Sequence, residues 1–203
     1  MAFLRSGIGG EAPVVRGRGL FLRPPHMGDY LAWAELRARS RAHLVPWEPQ
    51  WSRDELTRDA FRRRIRHYQR ELREDLGYAF FIYRDTDETL LGGLTLSNVR
   101  RGVTQAAAVG YWTGLPYARR GHMSNALRAA MRFAFDDLNL HRLEAACMPH
   151  NAASIRVLES NGFQREGLAR RYLKIDGVWQ DHLLYATLMD DPHDILRSIG
   201  ISA

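Results

Sequence analysis

The chain has 203 residues, 45% hydrophobic and 26% charged, enough for one domain with a substantial core, and no apolar run approaches the ~18 residues of a membrane helix. Its single cysteine, Cys147, excludes an internal disulfide and suits a reducing cytoplasm, and the opening MAFLRSGIGGEAP lacks the apolar stretch of a secretory signal. The net charge of +6 suits a polyanionic neighbour such as a nucleotide cofactor or ribosomal RNA, but with Lys174 the only lysine among 29 basic residues it equally suits the codon bias of a GC-rich genome.

Residues 1–17 are glycine-rich and read as a flexible N-terminal segment. LFLRP (20–24) predicts a first strand stopped by Pro24-Pro25, and Asp29 predicts the cap of a helix running to about Arg39. VPWEPQW (45–51) holds too many prolines for either element and reads as a bent aromatic loop. Ser52-Arg53-Asp54-Glu55 has the form of a capping box, and Leu56, Ala60, Phe61, Ile65, Tyr68, Leu72 and Leu76 follow at helical spacing. The other face of that helix carries Arg58, Arg62, Arg63, Arg64, Arg66, Arg70 and Arg73, offset by Asp59, Glu71, Glu74 and Asp75. Such a face is either solvated or a ridge for RNA.

The period then changes to two. Tyr78–Arg84, Leu90–Ser97 and Ala106–Thr113 predict three consecutive antiparallel strands. A helix is expected from Ser124 to Leu138, a strand over HRLEAACM (141–148) stopped by Pro149, and a short helix from Asn151 to Asn161 ended by Gly162. Residues 169–175 and 178–188 flank an Asp176-Gly177 turn and predict a hairpin. The order implies an α/β domain over 18–190 with a mixed, mostly antiparallel central sheet and helices on both faces, followed by a tail over 191–203.

One loop stands out between strand and helix. Arg119-Arg120-Gly121-His122-Met123-Ser124 precedes the helix, where free N–H groups and the positive end of the dipole favour an anion. Gly121 allows close backbone approach, and the two arginines add charge. Taken alone, the loop is equally an ordinary basic turn.

Further along, Asn151-Ala152-Ala153-Ser154 through Leu158-Glu159 to Gly162-Phe163 resembles the N-x-x-S-x-x-x-[LY]-E-x-x-G-F signature of the GNAT superfamily of N-acetyltransferases. The hairpin RRYLKIDGVWQDHLLYATL (170–188), with LVPWEP (44–49) and GYW (110–112), is similar to the ribosomal-protein alanine N-acetyltransferases of the RimJ/RimL type, closer to RimJ. The resemblance covers about 18–190. It implies a sheet splayed between the strand ending at Thr113 and the strand starting at His141, with acetyl-CoA in the split and no metal. The pantetheine arm would pair with the backbone of Tyr111, Trp112 and Thr113 and contact Asn151. The pyrophosphate would sit on the N–H groups of Arg119, Arg120, Gly121, His122, Met123 and Ser124. Ser154 would donate a hydrogen bond to the departing thiolate, where charge develops.

The departures from the family matter too. The loop opens with Ala118 where Gln or Arg is usual and has Met123 at its last position. The tyrosine that acts as general acid in some relatives is Leu158, and the glutamate base of others aligns with Ala146. RimL-type enzymes carry a glutamate at the position of Leu173. No standard proton carrier transfers. An α-amino group, with a pKa of about 7.7–8.0 against about 10.4 for lysine, needs a weaker base. Glu144 is the candidate, because it points to the same strand face as Ala146.

On the acceptor side, Glu48 is the candidate to hold a substrate ammonium, and Tyr172 and Tyr185 either orient the amine or pack. His122, His141 and His150 show no metal spacing and read as structural, and Cys147 reads as a small core residue. The expected activity is therefore acetyl transfer from acetyl-CoA to the N-terminal amine of a protein, by resemblance a small-subunit ribosomal protein beginning with alanine. Two alternatives stand beside it: acetylation of a small amine (polyamine, aminoglycoside or amino acid), and a non-catalytic RNA- or ribosome-binding module using the arginine helix.

Overall fold

The computed structural model describes residues 13–192. Strands β1 (Val15–Gly17) and β2 (Leu20–Arg23) precede helices α1 (Tyr30–Arg39), α2 (Arg41–Leu44) and α3 (Arg58–Arg73). Then come β3 (Tyr78–Arg84), β4 (Leu90–Arg100), β5 (Ala106–Thr113), α4 (His122–Arg132), β6 (Arg142–Cys147), α5 (Ala152–Glu159), β7 (Gln164–Ile175) and β8 (Val178–Leu188). The strands form one sheet in the order β1-β2-β3-β4-β5-β6-β8-β7. The mixed, mostly antiparallel sheet is the one the sequence predicts.

Only β5 and β6 pair in parallel, because α4 carries the chain back across the sheet. Their pairing runs from Ala106↔Arg142 to Ala108↔Glu144 and stops there. Beyond that point β5 stays with β4 up to Thr113, and β6 stays with β8 up to Cys147. The sheet therefore opens between them.

Alternation divides the residues flanking this opening between two faces. Val109, Tyr111, Leu143, Ala145, Cys147, Leu183 and Tyr185 pack in the cluster that includes Met123, Ala126, Leu127 and Ala130 of α4. Phe81, Tyr83 and Trp112 pack on the other face with Trp33 and Leu36 of α1 and Phe61 and Ile65 of α3. By the same alternation Gly110, Glu144, Ala146, His182 and Leu184 belong to this second face.

Several local expectations shift. Residues 15–17, placed in the flexible segment, form β1 against β2; residues 1–12 of that segment, and most of the tail, lie outside the described residues. Ser52-Glu55 does not cap α3: the helix starts at Arg58, and Thr57 accepts from the Ala60 N–H at 3.2 Å. The VPWEPQW segment opens with a 3-10 turn over Val45–Trp47. The 124–138 helix starts earlier, at His122, and ends in a π turn over Phe133–Asp137.

Asp29 makes no side-chain cap on α1. Its carboxylate instead accepts from Arg23 at 2.7 and 2.9 Å and from the His26 N–H at 2.8 Å. Burial works against its charged form, but the Arg23 hydrogen bonds, the His26 N–H and the Arg23 charge outweigh it and hold the pKa below 3.8. A depressed pKa stabilises the fold above the unfolded value and loses that contribution as pH falls through the folded value. Acidification below about pH 3.8 is thus expected to lower the melting temperature of the wild type more than that of Asp29→Asn. Parallel thermal melts from pH 2 to 6 check this.

Candidate active site

The 119–124 loop is shaped by two left-handed residues, Arg119 at φ 62° and Gly121 at φ 78°. Gly121 takes the cap position of α4, yet no side chain caps that helix end. Among the described residues, a Cβ on Gly121 would meet nothing within 4 Å, so the backbone at this helix start is open to close approach. Burial, with the charges of Arg84 and Arg120, pushes His122 below 6.5 and keeps it neutral, while the arginine field favours an anion. Met123 turns into the core, and the Ser124 hydroxyl accepts from the Asn161 amide at 2.8 Å. Arg119, Arg120, Gly121 and His122 therefore carry the open part of the loop.

On the far side of the split, Pro149 ends β6 and Asn151 caps α5, its Oδ1 accepting from the Ser154 N–H at 3.0 Å. That bond fixes Ser154 in the first turn. Its Oγ lies 2.9 Å from the Tyr111 hydroxyl of β5, so the two side chains meet across the opening. Burial drives the Tyr111 phenol far above its usual pKa and keeps it protonated. Cys147 beside them is buried and pushed up to about 11, chiefly by desolvation, which makes it a poor nucleophile. Tyr185 donates to Glu159 at 3.0 Å and anchors α5 on β8.

The second face is built from aromatic rings and one arginine. Trp112 lies against Gly93 of β4, where a Cβ would stand 2.5 Å from the indole nitrogen. Only glycine leaves room for that contact. The Arg37 guanidinium sits between Trp112 and Trp51, 5.0 and 4.3 Å from the ring centres. Arg37 donates twice to Glu48, each bond 2.7 Å, and the Trp51 indole adds a third at 2.8 Å. Glu48 is thus ion-paired with an arginine that is 5% exposed.

This arrangement positions the 45–51 segment. Trp47 packs at a tilt against His150, with ring centres 5.3 Å apart, and the Asp176 N–H of the hairpin turn donates to the Glu48 carbonyl at 3.0 Å. The segment therefore bridges the start of α5 and the tip of β7–β8. Tyr172 on β7 is half exposed, its ring 6.0 Å from that of His182. Glu144 is held by Arg100 and, at 2.9 Å, by Arg142, which also grips Glu166. Both carboxylate oxygens of Glu144 are thus engaged by guanidinium groups, so the structure presents it as an ion-pair partner rather than a free base.

Arg37, Trp51 and the Tyr111 hydroxyl escaped the sequence reading. For Arg37 a signal existed: an arginine beside Trp33 and Leu36 on the buried stripe of α1 demands a partner. The arginine face of α3 is partly matched within the fold, with Arg62 on Asp59, Arg63 on Asp54 and Arg64 on Glu55. Among the described residues no cluster of His, Cys, Asp and Glu is arranged to hold a metal, and no helix is long and apolar enough to cross a membrane.

A split between parallel strands beside an uncapped helix start matches a known domain. The acetyltransferase (GNAT) domain model covers residues 19–164. The chain belongs to the GNAT acetyltransferase family. This GNAT domain is 36% identical to the "Probable N-acetyltransferase YjcK" of Bacillus subtilis, over 88% of the chain and 98% of the relative. It is 33% identical to the "[Ribosomal protein uS5]-alanine N-acetyltransferase" of Escherichia coli, over 85% of the chain and 89% of that protein. Among solved structures, Mycobacterium smegmatis RimJ in complex with CoA-disulfide superposes with a TM-score of 0.82 at 33% identity, covering 89% of this chain and 88% of the other. Ribosomal-protein-S5-alanine acetyltransferase from Vibrio fischeri gives 0.81 at 31% identity, covering 88% and 98%.

The chain is an acetyl-CoA-dependent N-acetyltransferase. Its residues fit that co-substrate, which supplies the acetyl thioester: an open helix N-terminus in an arginine field on one side, and a strand edge freed by the split on the other.

Proposed function

We propose that the chain acetylates the N-terminal amine of a protein, with a small-subunit ribosomal protein beginning with alanine as acceptor. The observation that carries this reading is the near-full-length similarity to the uS5-alanine acetyltransferase of Escherichia coli. The acceptor side agrees with it. A polycationic small amine calls for free carboxylates, whereas Glu48 is already matched by Arg37 between two indoles. One ammonium and a short side chain suit such a pocket better than several charges.

In this reading the freed backbone of Tyr111, Trp112 and Thr113 pairs with the pantetheine amides. The Asn151 amide hydrogens, left over from its capping oxygen, reach the same arm. The N–H groups of residues 119–124 take the pyrophosphate. Ser154 donates to the sulfur as it leaves, and Glu48 and Tyr172 border the amine. The cytoplasm is the compartment that such a partner implies.

The test is CoA release with a panel of amines: peptides beginning with alanine, serine or an acetyl-blocked residue, together with spermidine and an aminoglycoside. The alanine peptide is expected to exceed the small amines in kcat/KM by at least about tenfold, the scale of one well-placed contact. A small amine at the head of the panel rejects the reading.

A further inference from the structure

The site described so far has no proton acceptor. Ala146 and Leu158 have apolar side chains, and Glu144 is held by two arginines. We propose that His182 is the general base, accepting the amine proton at Nε2. The proposal rests on the acceptor reading above only for the identity of the amine.

Three observations converge on this residue. The first is place. Pairing of Leu183 with Cys147 and Leu184 with Ala146 puts His182 at the level where β6 ends, beside the open part of the split. Alternation sets its side chain on the face of Trp112 and Ala146, away from Tyr111 and Ser154. The sulfur-side hydroxyls and the imidazole thus flank the split from opposite faces, as a leaving group and an incoming amine require.

The second observation is the tautomer. Nδ1 lies 3.0 Å from the Gln180 carbonyl. A carbonyl only accepts, so Nδ1 carries the hydrogen, and Nε2 is left with its lone pair. Among the described residues Nε2 has no hydrogen-bond partner. At 3% exposure the ring is otherwise enclosed, and the edge of Tyr172 helps fix its plane.

The third is room. Between Trp112 and His182 this face carries Gly110 and Ala146, and a Cβ on Gly110 would meet nothing within 4 Å. Small residues at the split leave space for an amine where larger ones would fill it. The other titratable or charged groups on this side are already engaged or differently placed. Glu144 is on Arg100 and Arg142, Glu48 is on Arg37, and His150 stands against Trp47.

The proton balance is simple. The amine nitrogen forms the N–C bond, the C–S bond breaks with its electron pair on sulfur, and Nε2 holds the proton that nitrogen loses before passing it to water. A positioned base of this kind contributes about 10²–10⁴ in rate.

His182→Asn separates the two ring nitrogens, because its amide reproduces the Nδ1 donor to Gln180 and removes Nε2. His182→Gln, with an amide near the Nε2 position, serves if the Asn variant does not fold. Expected are a kcat loss of about a hundredfold, unchanged acetyl-CoA affinity and melting temperature, loss of the acid limb in the kcat/KM profile, and partial restoration by added imidazole. Activity within threefold of wild type from pH 6 to 8, or loss without imidazole rescue and with an unchanged pH profile, overturns the assignment. Each assay uses the best amine from the acceptor panel. A preference for a small amine therefore rejects the protein N-terminus and still leaves His182 judged on that amine.

Discussion

Gly121→Glu is expected to weaken acetyl-CoA binding at least about a hundredfold in calorimetric titration, while the protein stays folded. The space beside Gly121 is open, so the new side chain meets no obstacle. Its backbone cost at φ 78° is real but local, about 1–2 kcal/mol. The large effect is electrostatic. A carboxylate about 5 Å from each phosphate charge costs about 1–3 kcal/mol per charge at effective dielectrics between those of water and a protein surface, and each 1.4 kcal/mol is about tenfold in affinity. The same carboxylate also caps the N–H groups that the phosphates need. Gly121→Ala carries the strain without the charge and isolates the two effects. Wild-type affinity in the Glu variant places the phosphates elsewhere.

Ser154→Ala is expected to lower kcat by about tens- to a thousandfold, with little change in the acetyl-CoA KM, as for loss of a donor that acts where charge develops. The fold has no reason to suffer. The Asn151 cap uses the backbone N–H of residue 154, which alanine keeps. The Tyr111 hydroxyl, 2.9 Å from Oγ, loses its partner in the variant. Pre-steady-state CoA release separates this chemical step from binding. An unchanged kcat at saturating acetyl-CoA removes Ser154 from the reaction.

Helices and strands with strong periodicity were legible in the residues. The three strands from Tyr78 to Thr113, the Asp176-Gly177 hairpin and the Asn151-capped helix all form, although β4 runs on to Arg100 and β7 starts five residues before the expected Ala169. Boundaries failed where a side chain found a distant partner in place of its local one. Asp29 has the form of a helix cap, but Arg23 on β2 takes its carboxylate. Ser52 to Glu55 has the form of a capping box, but Arg63 and Arg64 take Asp54 and Glu55, and Thr57 caps the helix. Local hydrogen bonds of this kind are worth about as much as the tertiary ones that displace them, so sequence proximity does not decide between them.

The candidate site divides the same way. The proposed cofactor half is a run of backbone N–H groups and a capped turn, both set by neighbouring residues, and motif spacing points to them. The proposed acceptor half draws on side chains from β5, β8, α1 and the 45–51 segment, which only the sheet order and the split bring to one side. Glu48 read alone is a free carboxylate, and beside Arg37 it is an ion-paired one. Glu144 read alone is a base, and between Arg100 and Arg142 it is a salt bridge.

By itself, then, the sequence determined the family, most of the element order and the turn that opens α4, because each depends on periodicity or on contacts within a few residues. Tertiary structure alone decided which carboxylates are ion-paired, which hydroxyls meet across the split and which sheet face His182 shares. Charge state and reach depend on neighbours that the chain supplies from far away, and only folding sets those distances.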